Sequence, residues 1–497
     1  MRNDLLVLII TFSFFACTGL QNEKENTDSK PPNILWIVGE NFDLDLGCYG
    51  AENVRTPHLD GLAAKGVRYT NVYSTSPVCA PSRSAFMTGM YQTTTDMHHM
   101  RSHRDDDYRL PNGVRPITHL LTEAGYFTSN IKAIGNEIVG TGKLDLNFVN
   151  EGPVYQSDSW ELLKTNQPFF AQINTLEAEY DIYDRKSAEK KRVKWVGEDI
   201  HEQIATAENV NPPPYYPDHE ITRQEWARYL NSVSGMDKRV GIILEQLQKD
   251  GLADNTVLMF FADNGRLEAR GIHWLWDSGI HVPMIIQWPK DYTPPPQYAA
   301  GTVEDAVISL LDITATTLSI ADIPKPTGMQ SRIFLGASTD TPRTHAISAR
   351  DRIDETINRQ RSVRESRYHY IRNFLPNTGF TLLNRYKEKC FLVKPLMRTL
   401  YAEGALEGAA AALMEPLPTE LLYDTQTDPY EINNLADSED PEHEAALLRM
   451  RKILDDWMIN TEDRGGIPEP PSVYAPFEAE MDAWFGTPDW YRDAQSN

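Results

Sequence analysis

The sequence predicts an α/β fold: a large mixed sheet flanked by helices, followed by a smaller C-terminal α+β subdomain. Three observations lead there. Near-continuous apolar runs recur along the chain, as in strands buried on both faces of a sheet. Helix-patterned segments separate these runs, so strand and helix alternate. The chain has 497 residues, 41% of them hydrophobic, which suits one large domain plus a smaller one.

In chain order, Asn33-Ile34-Leu35-Trp36-Ile37-Val38 follows two prolines and reads as a buried strand. Residues 56–66 form a short amphipathic helix closed by Gly66. Residues 118–125 repeat that pattern and lead into a strand at 126–131. A further strand covers 168–173. The segment 226–250 has long helical periodicity, stops at Gly251, and feeds core strands at 256–261 and 282–286. Residues 180–217, charged and then proline-rich, read as an excursion over the surface. The composition becomes loop-like over 324–341, which places a boundary between a domain at 32–335 and a C-terminal subdomain at 336–497. The latter carries a strand at 368–371, an alanine-rich stretch at 402–413 and a helix at 441–460. In sheets of this class, ligands gather at the carboxyl ends of the strands.

The first residues stand apart. Arg2, the apolar run 5–15 and Ala16-Cys17 describe a secretory signal at 1–17, too short to span a bilayer. Cys17 reads either as the lipidated residue of a loose bacterial lipobox or as an incidental cysteine in an ordinary signal peptide. Residues 18–31 are a polar tether. Export to the periplasm or to the outer membrane of a bacterium follows, with the membrane touched only through that anchor. The four cysteines show no metal-type spacing. Cys48 and Cys390 are free to pair in an oxidising compartment, but nothing demands it. A net charge of -23 argues against a nucleic-acid partner, and an anionic ligand must meet a local basic cluster.

The most informative motif is Cys79-Ala80-Pro81-Ser82-Arg83, followed by Ser84-Ala85-Phe86-Met87-Thr88-Gly89. Pro81 suits the first position of a helix, which puts Cys79 at or just before the helix N-terminus. That end attracts anions, and Arg83, four residues on, faces the same way as Cys79. The result is a nucleophile beside an anion cradle. Oxygen-rich pairs follow two strands: Glu40-Asn41 after 33–38 and Asp263-Asn264 after 256–261. Converging oxygens suit a hard cation such as calcium, whereas Asp263-Asn264-Gly265 taken alone is a plain turn.

The run 79–89 resembles the maturation signature of the type I, formylglycine-dependent sulfatase family. The chain is similar in particular to bacterial carbohydrate sulfatases and heparan N-sulfatase-like members, from about Pro32 to about Ala436. The resemblance implies an alkaline-phosphatase/sulfatase-like fold, oxidation of Cys79 to formylglycine by a maturation enzyme, and Ca2+ held by Glu40, Asn41, Asp263, Asn264 and the modified Cys79. Where this chain has Glu40-Asn41 the family usually shows two aspartates, so one charge is lost, and calcium is either held more weakly or takes a neighbouring residue such as Asp43 as a substitute ligand. Arg83, Lys132 and His273 fall at or near the family's catalytic cations, with histidine at 273 replacing the usual lysine. Glu179 stands where the family's leaving-group histidine is expected, and His219 is its rival.

His99 and Arg101, in the dense basic stretch 98–104, match a pocket segment of the related carbohydrate sulfatases. So do Arg350 and Arg352, in Arg350-Asp351-Arg352. Without the resemblance, the first stretch is an ordinary loop and the second a self-paired charged surface. The implied function is hydrolysis of sulfate esters on a sulfated polysaccharide or its oligosaccharides, algal ones such as ulvan ahead of glycosaminoglycans. One hydroxyl of the formylglycine hydrate attacks sulfur and expels the sugar alcohol, and the other loses its proton as sulfate leaves. Two alternatives share the fold. A phosphonate or phosphate monoester hydrolase is opposed by Cys79. An inactive glycan-binding homologue is supported by the altered residues at 40, 41, 179 and 273.

Overall fold

Asn33–Gly39 has no charged side chain and is buried throughout, as the middle of a large sheet requires. It is the first of fifteen strands in this computed structural model, which describes residues 30–103, 106–175, 204–376 and 378–496. In chain order these are β1 (Asn33–Gly39), β2 (Val67–Tyr69), β3 (Val72–Tyr73), β4 (Phe127–Ile134), β5 (Glu137–Ile138), β6 (Ser157–Ser159), β7 (Phe169–Asn174), β8 (Thr256–Ala262), β9 (Met284–Gln287), β10 (Thr302–Glu304), β11 (Ile308–Ser309), β12 (Ala346–Arg350), β13 (Gln360–Arg364), β14 (Tyr368–Asn373) and β15 (Glu420–Asp424). The main sheet is ordered β10-β2-β9-β8-β1-β7-β4-β5, with β6 also on β4. Pairing is parallel across β8-β1-β7-β4 and antiparallel where β9 meets β8 and β2. Residues Pro31–Asn497 cluster as one compact unit.

The register brings strand ends together. Gly39 lies opposite Ala262 and Val38 opposite Asn174. The residues that follow therefore emerge at one edge: Glu40-Asn41, Thr175 and Asp263-Asn264.

Helices α1 (Pro57–Lys65), α2 (Cys79–Thr88), α3 (Ile117–Glu123) and α4 (Glu220–Lys249) flank this sheet. α2 is buried along its whole length. Its Phe86 packs edge-on against Trp36, with ring centroids 6.0 Å apart, and Trp36 also meets Phe170 and Phe261 at 4.9 and 5.5 Å. Burying aromatic rings of this size stabilises the contact by roughly 1.5–3 kcal/mol each, which sets α2 firmly on β1. Cys79 is the first residue of α2, as expected, but Pro81 is its third residue rather than its first. A proline there still lies in the first turn, where the missing N–H has no intrahelical partner to lose.

α4 begins six residues before the periodicity suggested. His219 caps it, Nδ1 accepting from the Ile221 N–H at 3.1 Å, and histidine is outside the usual capping set. The leaving-group rival His219 is thus engaged in capping.

β12-β13-β14-β15 form an antiparallel sheet in the C-terminal part. Its apolar face meets α5 (Pro441–Asn460) in a second core that includes Ile347, Val363, Tyr370, Leu422, Met450 and Leu454. Of this sheet only β14 was legible, because β13 reads Gln-Arg-Ser-Val-Arg yet is wholly buried. Its arginines find distant acids: Arg361 binds Asp463 at 2.7 Å and Arg364 binds Asp277 at 2.8 Å. The alanine-rich stretch is divided between helices Val393–Ala402 and Gly408–Leu413, with Gly404 between them at φ 69°. The long helix α6 (Pro471–Phe485) has no counterpart among the sequence expectations. Cys48 and Cys390 are free thiols, each pushed up to about 12 by burial. The signal segment with Cys17, most of the tether, and Glu179 lie outside the described residues.

Candidate active site

Arg83 organises the site. It lies one turn into α2 and reaches the ends of three strands. Nε donates to Asp263 Oδ2 at 2.9 Å, Nη1 to Asn174 Oδ1 at 2.8 Å, and Nη2 to Glu40 Oε1. Burial alone would lower its pKa, but Glu40 and Asp263 outweigh that and hold it above the ordinary arginine range. Cys79, 3% exposed, places Sγ 3.7 Å from Asn41 Oδ1.

The oxygen cluster is buried. Glu40, Asn41, Asp263 and Asn264 are each at most 1% exposed. Lys143 Nζ donates to Glu40 Oε2 at 2.7 Å, and the Asn41 N–H to Asp263 Oδ1 at 3.2 Å. Asn41 sits at φ 56°, a left-handed conformation that asparagine tolerates. Asn264 Nδ2 donates to Asn41 Oδ1 at 2.9 Å, which leaves Asn264 Oδ1 and Asn41 Nδ2 buried without hydrogen-bond partners. An unsatisfied buried oxygen costs about 1–3 kcal/mol. Ligand atoms of Glu40, Cys79 and Asp263 lie within 4.8 Å of one another. Two carboxylates and two amide oxygens, one of them the orphaned Asn264 Oδ1, fit a hard cation. Asp43, the substitute ligand considered from sequence, is instead paired with Arg266 at 3.1 Å. Burial, partly offset by Arg266, raises its carboxyl to about 8.

Cys79 opens into a cavity of about 380 Å³, lined among others by Arg101, Lys143, Asp145, His273, Asp354, Tyr386 and Trp484. His273 holds a left-handed backbone at φ 78°, with its N–H donating to the Pro77 carbonyl at 2.8 Å. Burial, then Lys387, Arg350 and Lys394, push its pKa well below the ordinary histidine range. Burial and these cations outweigh the acids of the same cavity, Asp145 and Asp354, and disfavour a charged imidazole. His273 is therefore a neutral group of the free protein at pH 7, not a cation. Lys387 donates to the Glu268 and Ile272 carbonyls at 2.7 Å each, bracing the loop that carries it.

Lys132 does not join the site. Its ammonium is half exposed and pairs with Asp158 at 3.0 Å. Lys143 stands there instead, for a topological reason. β4 turns back through β5, and the returning chain bonds the end of β7, with the Thr141 N–H donating to the Asn174 carbonyl at 3.1 Å. That bond sets Gly142-Lys143 at the edge where Glu40 emerges.

The two basic stretches divide. Arg101 lines the cavity, with Nη1 3.6 Å from Asp354 Oδ1. His99 Nδ1 accepts from the Arg352 N–H at 3.2 Å, and its pKa is lowered by burial and then by His98. Arg350 is buried with its guanidinium carbon 3.9 Å from the Trp274 ring centroid, and its Nε and Nη1 lack hydrogen-bond partners. Burial pushes it down to about 9. Arg352 forks onto Glu469, Nη2 to Oε1 at 3.0 Å, and Nη1 donates to the Met100 and Asp354 carbonyls at 3.2 and 2.7 Å. Arg352 is thus engaged internally, and neither it, Arg350 nor His99 is among the described residues lining the cavity. Lys143, Asp145, Asp354, Tyr386 and Trp484 line it without having been anticipated. For Lys143 a signal existed in Gly142-Lys143, eleven residues beyond the lysine chosen.

The sulfatase family model matches residues 32–323. An ulvan-active sulfatase of Formosa agariphila is 31% identical, over 94% of this chain and 83% of the relative. The human N-sulphoglucosamine sulphohydrolase is 26% identical, over 88% and 91%. Among solved structures, a 2-O GAG sulfatase aligns with a TM-score of 0.58 at 18% identity, covering 90% of this chain and 96% of its own. A phosphonate monoester hydrolase of Agrobacterium radiobacter aligns at 0.56 and 16%, covering 86% and 96%. At those identities the two structures speak for the fold alone. The sequence matches go further, one family model over more than half of the residues and one relative along most of both chains, and on them this chain belongs to the sulfatase family.

Proposed function

We propose that this sulfatase hydrolyses sulfate esters on a sulfated polysaccharide or its oligosaccharides, ulvan first and glycosaminoglycans second. The observation that carries the reading is Cys79 facing a cavity of about 380 Å³, beside the buried cluster of Glu40, Asp263 and Arg83. The Formosa relative named as ulvan-active supports the choice of glycan. Oxidation of Cys79 by a maturation enzyme would supply a formylglycine hydrate as the nucleophile. Calcium held by Glu40, Asn41, Asp263 and Asn264 would polarise the sulfate oxygens.

The chain's own residues have the following roles. Arg83 fixes the two carboxylates in place. Lys143 puts a cation at the cavity wall, where it stabilises negative charge growing on the sulfate. His273, being neutral, donates an N–H to a sulfate or leaving-group oxygen and contributes no charge. Glu179 remains the proposed leaving-group acid on its sequence position. Arg101 meets the sugar. Residues 1–17 direct export, with Cys17 as the lipid attachment point.

The decisive experiment pairs peptide mass spectrometry with sulfate release. Protein made with a maturation enzyme is expected to carry an aldehyde in place of the Cys79 CH2SH group and to release inorganic sulfate from ulvan oligosaccharides. Full activity with unmodified cysteine would overturn the nucleophile. No release by matured, calcium-loaded protein would favour the glycan-binding alternative. Phosphonate-ester turnover exceeding sulfate-ester turnover would favour the phosphonate alternative, whose only support is the shared fold.

Two lysines give a sharper check. Lys143→Ala is expected to lower kcat by about 100-fold or more, the usual cost of losing one preorganised charge donor. Lys132→Ala, at the surface, should stay within about twofold, since surface substitutions rarely matter. Steady-state kinetics on one sulfated oligosaccharide compares them, and the reverse ranking would restore Lys132 to the site.

A further inference from the structure

We infer that Trp484 is the platform on which the sugar ring adjoining the sulfated ring is stacked, with Arg101 beside it pairing with an anionic group on that neighbour. This rests on the sulfated-oligosaccharide reading above. α6 carries Met481, Trp484 and Phe485 to the cavity wall. Met481 is 1% exposed and Cys79 3%, whereas Trp484 is 54% exposed, the only exposed residue among the described lining residues. Trp484 therefore marks the mouth and Cys79 the interior.

Size places the second ring there. The cavity, about 380 Å³, lies near the lower end of ligand pockets, roughly 300–1,000 Å³. One sulfated ring occupies it, and the next ring of a chain must emerge past Trp484. The C–H face of a pyranose is apolar and electropositive, so it stacks on the electron-rich face of an indole.

The platform is held rigidly. Phe485 packs on Tyr386 with centroids 5.7 Å apart, and Arg385 Nε donates to Thr487 Oγ1 at 2.9 Å just beyond α6. Arg352 binds Glu469 just before α6 and covers the Phe477 ring at 4.5 Å. This accounts for Arg352, which anchors the segment carrying the platform and is not among the described residues lining the cavity. The Arg101 guanidinium lies over one face of the Trp484 ring, 5.8 Å from its centroid, so the sugar is assigned to the opposite face. In a chain of net charge -23, a cation at the mouth counters repulsion of a polyanionic substrate.

The test uses full-length Cys79→Ala protein, which binds without turnover, titrated calorimetrically with a sulfated ulvan tetrasaccharide and the corresponding sulfated monosaccharide. The tetrasaccharide should bind more tightly. Adding Trp484→Ala should weaken tetrasaccharide binding about tenfold or more and erase that preference, while Trp484→Phe stays within about threefold. Ile459→Ala, 75% exposed on α5, serves as the control and should change nothing. Arg101→Gln should cost affinity only while the neighbouring ring keeps its anion, and carboxyl-reduced and selectively desulfated tetrasaccharides tell carboxylate from sulfate. Undiminished binding in Trp484→Ala, with the parent binding normally, overturns the platform and leaves the substrate reading intact. Failure of the parent to bind any sulfated oligosaccharide overturns both. Tryptophan-dependent binding without sulfate release by the matured enzyme keeps the platform and removes the hydrolytic reading.

Discussion

Cys79→Ala should lower turnover of a sulfated oligosaccharide by at least about 10⁴-fold, the scale seen when a nucleophile acting within a unit is removed. The fold should survive. The change removes one sulfur atom from a side chain that opens into a cavity, and α2 stays seated through Phe86 against Trp36 and Phe261. Loss of a single small group costs about 1 kcal/mol, well inside the stability of a domain. Cys79→Ser should be equally inactive wherever the host does not convert serine, although its hydroxyl can still meet Asn41. Sulfate release measured alongside circular dichroism checks both halves. Retention of more than about a hundredth of the activity would show that the nucleophile lies elsewhere.

Arg83→Met should be the most destabilising single change in the site, by about 3–5 kcal/mol in metal-free protein. It removes the donors to Glu40, Asp263 and Asn174 at once, and leaves two buried carboxylates with Lys143 as the cation recorded on Glu40. Arg83→Lys should recover only part of the loss, because an ammonium on a flexible stem cannot span three strand ends as the planar fork does. Calcium should reduce the penalty by supplying positive charge to the same oxygens, so denaturant unfolding with and without the ion separates the two contributions. An unchanged midpoint in Arg83→Met would mean that Arg83 does not hold these strand ends together.

The parts of the site that were legible in sequence are those fixed by short-range connectivity. Glu40-Asn41 and Asp263-Asn264 directly follow apolar runs that could only be central strands, and the parallel register delivers both pairs to one edge. Cys79 and Arg83 lie on one helix a turn apart. The sequence points to Lys132 rather than Lys143 because no local signal shows that β4 continues past Ile131 and doubles back through β5. The basic island looked like a binding surface because its acids lie far away in sequence, Asp463 for Arg361, Asp277 for Arg364 and Glu469 for Arg352.

By itself, then, the sequence determined the alternation of strands and helices, the membership of the oxygen cluster, and the cysteine at the start of its helix. Each follows from residue type at a fixed offset along the backbone. Only the tertiary structure decided which lysine reaches Glu40, that His273 is neutral, and that a C-terminal helix walls the cavity with Trp484. Those depend on desolvation and on charges brought from distant segments. The imidazole of His273 is set by Lys387, Arg350 and Lys394, and no pattern local to residue 273 encodes their approach.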